Sequence, residues 1–279
     1  MIREASEQDI PQLKQLFKVC FGDTDAFLNL FFTEYFPTTT CMVAIRDERI
    51  VSMLFLCPAK MVADEYRRLI YYVYACGTLP EYRRKGIMEQ LLQVGHAFAK
   101  QQDAWGLILV PAGEHLASYY LRLGFSPFSH NVKEKMTPIS YDEEIEILKP
   151  CELSLKQIIY IRNRQFKGEY QVFWSQKHIA FTIAMLQQQG GGCLGLQWKN
   201  GRKDYIIYDK KKSELIVKET SVEENILPWL TPLLCKHFDV GSVKYFVPAQ
   251  EGDVFSMIKP VDPFEIPDDI LPYFNLEMG

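Results

Sequence analysis

The sequence predicts a mixed α/β (α+β) protein made of two similar halves, and three observations carry that prediction. Strand-like and helix-like segments alternate along the chain, and the order of elements repeats after the midpoint. In a chain of 279 residues, 48% are hydrophobic, enough for two cores of ordinary size. Net charge is -4 with acidic and basic residues interspersed, so no basic face points to nucleic acid and no polybasic arm to a membrane. None of the 7 cysteines forms a CxxC pair or lies at metal-ligand spacing from a histidine. They read as reduced thiols of a cytoplasmic protein, and no metal is expected. The N-terminus is charged from its third residue, and no apolar run reaches the roughly 18 residues of a membrane span, so neither a signal peptide nor a span is expected.

Each element follows from its own pattern. Ile2 opens a short strand, and Ser6 to Asp9 supplies an N-cap and first-turn acids for a helix carrying Ile10, Leu13, Leu16 and Phe17 on one face. AFLNLFFTEYF (residues 26–36) is a second apolar segment, which fits either a helix lining a cleft or one buried on all sides. Residues 41–61 contain two strands that turn around Arg46 to Arg49. LIYYVYACGTL (residues 69–79) has no charge, is rich in aromatic and small residues, and stops at Pro80, as a buried strand does. Ile87, Leu91, Val94 and Phe98 then mark one face of an amphipathic helix. Trp105 to Gly113 reads as another buried strand. Glu114 to Phe125 reads as a short helix, with Gly124 suited to its C-cap.

Between the buried strand and the amphipathic helix lies PEYRRKG (residues 80–86). The first turn of a helix leaves backbone N–H groups unpaired and carries the positive end of the helix dipole. Gly86 admits a ligand close to the backbone, and Arg83, Arg84 and Lys85 attract an anion. By themselves these residues fit a phosphate site or a solvated basic turn equally well.

The order of elements, together with PEYRRKGIMEQLL and YLRLGF, resembles the GCN5-related N-acetyltransferase (GNAT) superfamily. There, a segment of proline, any residue, an aromatic, arginine or glutamine, two further residues, glycine, one residue and a small residue binds the pyrophosphate of acetyl-CoA. Pro80, Tyr82, Arg83 and Gly86 match, and Met88 stands where the family has glycine or alanine. Tyr120 to Phe125 matches the family's second signature, whose tyrosine is often the general acid.

The resemblance implies a mixed central sheet of the acyl-CoA N-acyltransferase type with acetyl-CoA as cosubstrate. It implies binding through Cys76, Gly77 and Thr78 on the strand and through Arg83, Arg84, Lys85, Gly86, Ile87 and Met88 on the loop and helix, with Tyr120 as acid. The strand from Tyr74 to Leu79 should splay from Gly106 to Pro111 to receive the pantetheine. Tyr120 read without the resemblance is equally a core aromatic. Glu114 is a candidate base or simply a first-turn acid, Tyr74 and Glu34 are further candidates, and Cys76 is a possible nucleophile or a buried bystander. The implied activity is acetyl transfer to a primary amine of a small molecule or peptide in a ternary complex; the alternative is a catalytically silent acyl-CoA-binding module.

After a proline-rich and acidic stretch at residues 137–153, the second half repeats the order. Helices are expected at residues 155–166 and 176–189, three strands in GCLGLQWKN, KDYIIYDKK and SELIVKETS, a helix from Glu223 to Phe238 offset by Pro228 and Pro232, and a strand at residues 243–247. The expected domains are 1–138, catalytic, and 139–279, a degenerate second copy. In that copy KETSVEENILPWL stands opposite PEYRRKG, with Glu219, Glu223 and Glu224 and no glycine. A carboxylate beside a phosphate costs about 4 kcal/mol at close range and an effective dielectric near 20, so this half should not bind CoA. Such a tandem is similar to the mycobacterial enhanced-intracellular-survival acetyltransferases without their sterol-carrier-like domain.

Overall fold

The computed structural model describes residues 1–63, 66–138, 147–168 and 170–278. In the first half β1 (Ile2–Glu4) leads into α1 (Ile10–Phe21), α2 (Asp25–Leu30), β2 (Thr40–Arg46), β3 (Arg49–Ala63) and β4 (Tyr66–Thr78). Then come α3 (Ile87–Gln101), β5 (Gly106–Leu109), α4 (Glu114–Arg122) and β6 (Ser126–Met136). Of the stretch expected to link the halves, residues 139–146 lie outside the described residues, and β7 (Ile147–Cys151) follows. The second half continues with α5 (Leu155–Gln165), β8 (Val172–Phe173), α6 (Gln176–Gln188), β9 (Gly192–Trp198), β10 (Lys203–Lys211) and β11 (Glu214–Thr220). It closes with α7 (Leu227–Phe238), β12 (Ser242–Ala249) and β13 (Asp253–Pro260). Pro228 sits in the first turn of α7, where its missing N–H costs nothing, whereas Pro232 lies inside the helix.

Among the described residues the strands form one sheet in the order β1-β2-β3-β4-β5-β13-β6-β12-β11-β10-β9-β7, with β8 added beside β3. Read from either end, the path meets five strands of one half and then a strand of the other. β6 pairs antiparallel with β12, Met136 opposite Val243, and β13 pairs antiparallel with β5, Leu109 opposite Met257. β6 and β13 meet each other at the centre. The two halves are thus joined by an exchange of their last strands, and the seam is tight: a side chain on Gly106 would run into the Lys259 carbonyl. The sequence reading had no strand at β6 or β13, whose polar, half-exposed residues give a weak apolar signal.

The aromatic segment after α1 is the second surprise. α2 passes into a π-helical turn, Phe31–Tyr35, and buries Phe27, Phe31, Phe32 and Tyr35. Phe31 and Tyr35 pack on Phe181 of α6, so the segment ties the halves together, and it lines neither of the two cavities beside β4. The C-terminal residues Tyr273, Phe274, Asn275, Leu276 and Met278 are buried as well. Trp174 donates its indole N–H to the Asn275 carbonyl at 2.7 Å, and His178 donates Nε2–H to the Leu276 carbonyl at 2.8 Å. His178 Nδ1 accepts from the Tyr35 hydroxyl at 2.7 Å, and burial lowers its pKa to about 3, so the ring is neutral.

Candidate active site

The site begins where β4 leaves β5. The two strands pair in parallel only at Tyr71–Leu107 and Tyr72–Ile108, and then part, as the reading of the sequence expects. A bulge bends β4 at that point: its pairing with β3 shifts register between Tyr74 and Gly77, and Ala75 takes a positive φ of 49°. Bulges re-aim strands beside functional sites, and here the small run Ala75, Cys76, Gly77 is the only sequence trace of it. The end of the strand is held firmly. Ser52 Oγ donates to the Gly77 carbonyl at 2.9 Å, and Arg83 Nε donates to the Thr78 carbonyl at 3.0 Å. Arg83 therefore anchors the loop to the strand in addition to adding charge.

Gly86 is the N-cap of α3 at φ 71°, and a Cβ built there meets nothing within 4 Å. The first ladder bond of the helix runs from Gln90 N–H to the Gly86 carbonyl, which leaves the N–H groups of Ile87, Met88 and Glu89 without an intrahelical acceptor. Arg84, also at positive φ (60°), and Gly86 curl the loop into the kind of concavity in which successive N–H groups meet an anion. Arg84 and Lys85 have no ion-pair partner among the described residues; Lys85 lies over the Tyr82 ring at 5.1 Å.

This loop is one wall of a cavity of about 940 Å³. Of the sequence-predicted residues, Cys76, Gly77, Thr78, Arg83, Arg84 and Gly86 line it, and so do Ile87, Met88 and Tyr120, whereas Lys85 does not. Met88 is half-buried and packs against the core as well as lining the cavity, so its side chain has somewhere to go other than the cradle. A second cavity of about 480 Å³ adjoins the first, lined by Asp23, Tyr72, Tyr74, Val110, Ala112 and Met278 among others. Cys20, Phe21, Cys76, Leu116 and Tyr120 line both.

Tyr120 lies in α4, buried, with Phe125 edge-on at a centroid distance of 5.5 Å. Burial, reinforced by the Cys76 thiol, raises the pKa of its hydroxyl and keeps it protonated. Burial also pushes the Cys76 thiol up to about 12, eased by its hydrogen bond to Tyr120, which leaves it a poor nucleophile. Glu114 is exposed at the first position of α4 and lines neither cavity, and Glu34 is exposed as well. The carboxylate that does reach the second cavity is Asp23, which the sequence reading did not name. It follows α1 in a Gly-Asp-Thr turn, has no hydrogen-bond or ion-pair partner among the described residues, and burial raises its pKa.

Residues 1–128 match the family model described as acetyltransferase (GNAT) domain. The match covers a little under half of the chain and includes both walls of the larger cavity. The GNAT likeness of fold extends over nearly the whole chain. A probable N-acyltransferase of unknown function from Enterococcus faecalis is 13% identical, with a TM-score of 0.78 over 94% of this chain and 72% of that one. Eis1 from Mycobacterium abscessus is 12% identical, with a TM-score of 0.66 over 94% and 74%. A tandem GNAT protein from the clavulanic acid biosynthesis pathway is 12% identical, with a TM-score of 0.56 over 95% and 99%. No curated protein sequence matches the chain. Among the described residues no helix is long and apolar enough to cross a membrane, and no three His, Cys, Asp or Glu side chains are grouped to hold a metal ion.

Proposed function

We propose that the chain is an acetyl-CoA-dependent N-acetyltransferase that acetylates a primary amine of a small molecule or peptide, with residues 1–138 catalytic and residues 139–279 a degenerate copy that does not bind CoA. The observation that carries this reading is the shared wall: Tyr120 and Cys76 stand between a basic, N–H-rich cavity and a second cavity that holds an unpaired carboxylate. The loop of Arg84 and Gly86 and the first turn of α3 suit a pyrophosphate, and the parted end of β4 suits the pantetheine arm. Asp23 suits an amine.

In this reading the acceptor ammonium binds against Asp23, which takes a proton from it and frees the nitrogen lone pair. As the C–N bond forms and the C–S bond breaks, the nitrogen gives up its second proton to solvent and Tyr120 donates its hydroxyl proton to the departing sulfur. The proton held by Asp23 passes to solvent, and solvent reprotonates Tyr120. The test is CoA release over a panel of primary amines, with the wild type, Tyr120→Phe and Asp23→Asn, beside thermal shift with acetyl-CoA. Turnover lost in both variants with acetyl-CoA stabilisation retained supports the reading. Stabilisation by acetyl-CoA without turnover on any amine replaces it with the silent binding module, and absence of stabilisation at saturating ligand removes both.

A further inference from the structure

Away from the active site, a small cavity of about 120 Å³ lies between α6, β10, β11 and the C-terminal segment. Thr182 and Leu186 of α6, Asp209 of β10, Lys218 of β11, and Leu276 and Glu277 line it. Its polar groups are unbalanced. Thr182 is 2% exposed, and its Oγ1 has no hydrogen-bond partner. Glu277, with a side chain 10% exposed, accepts a hydrogen bond at Oε1 from Lys218 Nζ at 2.9 Å, while its buried Oε2 has no partner. Asp209 has no partner among the described residues either. Leaving the two buried atoms, Thr182 Oγ1 and Glu277 Oε2, unmet in a folded protein is costly, about 1–3 kcal/mol each, and calls for a bound donor, whereas Asp209 is half-exposed.

Leu276, in the wall, holds a φ of 63°, a conformation that costs a residue with a side chain about 1–2 kcal/mol and is kept here by the hydrogen bond from His178 to its carbonyl. Two carboxylates face one ammonium, so the cavity carries an excess of one negative charge. The remaining free groups accept hydrogen bonds, and the rest of the lining is apolar. The volume suits roughly four or five heavy atoms, and the exposed Gln189 beside it gives an approach from solvent.

We propose that this cavity is a binding site for a short-chain primary ammonium, whose N–H groups meet Thr182 Oγ1, Glu277 Oε2 and Asp209 while its alkyl part lies on Leu186 and Leu276. The site is separate from the acceptor cavity that holds Asp23, and the inference stands whether or not the protein transfers acetyl groups. The test is thermal shift on the full chain without acetyl-CoA, in propylamine hydrochloride at tens of millimolar against choline chloride of equal ionic strength. Potassium chloride and glycine serve as contrasts, and the proteins are wild type, Thr182→Val, Glu277→Gln and Asp23→Asn.

The expected result is a rise in Tm of the wild type and of Asp23→Asn with propylamine alone. That rise is absent in Thr182→Val, whose unliganded Tm is equal to or above that of the wild type because the hydroxyl it loses bonds to nothing, and it is at least halved in Glu277→Gln. A rise that survives in Thr182→Val but vanishes in Asp23→Asn moves the amine to the acceptor cavity and overturns the proposal. So does a response to potassium or glycine in place of propylamine, or no response at all, which leaves a cavity that holds water.

Discussion

The β4–α3 connection of the first half and the β11–α7 connection of the second occupy equivalent positions in the repeated order, yet they do opposite things. In the first, β4 runs six residues past its last pairing with β5, and the exposed backbone opens into a cavity of about 940 Å³. In the second, β11 runs only three residues past its last pairing with β12, and the corresponding hollow is about 140 Å³. The chain itself fills that space. Glu219 is buried against Arg162 at 3.0 Å and accepts hydrogen bonds from Tyr205 and Tyr273, while Asn275 donates to the Lys218 carbonyl. The helix that carries Tyr120 has no counterpart either: β12 turns into β13 through residues 250–252. One half holds an open cleft with unmet donors, and the other satisfies its polar groups internally. Changes in the first should alter function at little cost in stability, and changes in the second should do the reverse.

The largest effect expected is on turnover. Tyr120→Phe should lower kcat by about 10²- to 10⁴-fold, the range of a lost general acid, with the Tm little changed, as steady-state CoA release beside a melting curve would reveal. The mirror experiment is Glu219→Leu. It leaves Arg162 buried without its partner and should cost about 3–5 kcal/mol in urea unfolding, while any acetyl-CoA response of the protein that still folds persists.

Next comes pH. His178 has a folded pKa of about 3 against 6.5 in the unfolded chain, so below pH 6.5 the unfolded state binds a proton that the folded state refuses. The contribution is complete above pH 6.5 and falls by about 1.4 kcal/mol per pH unit on acidification towards 3. His178→Gln should flatten the acid side of a stability–pH curve, and an unchanged slope would contradict a neutral buried ring. Gly86→Ala should cost about 1 kcal/mol through its left-handed backbone and weaken acetyl-CoA binding, measured by calorimetry. The smallest effect is the most direct comparison: Glu224→Gly, which gives the second loop a glycine, should create no CoA binding, because the hollow behind it is already filled.

The loop and its helix were legible in PEYRRKGIMEQLL because glycine, proline and a 3.6-residue period act locally. Tyr120 was legible through the motif around it, and its burial was not. Asp23 gave no signal, since a Gly-Asp-Thr turn after a helix looks like any other C-terminal stop, and only the fold brings it beside Tyr74 and Tyr120. Glu219 was misread for the same reason. In the sequence it is one of three acids at and just past the end of a strand, and its partner Arg162 lies 57 residues away. The strand exchange was equally hidden, because pairing between β13 and β5 joins segments separated by more than half the chain and leaves no periodic trace in either.

That exchange also constrains how the protein is made. When residues 1–138 have left the ribosome, β5 has one free edge and β6 has no neighbour on either side, since all their missing partners are in β12 and β13. The first half cannot complete its sheet until β13 has been synthesised. Loop closure over so many residues slows folding and leaves sticky strand edges exposed in the meantime. Synthesis of the second half therefore acts as a timer on the first, and a ribosome that stalls before residue 253 would release a chain that holds every proposed catalytic side chain and lacks the strand that closes their sheet.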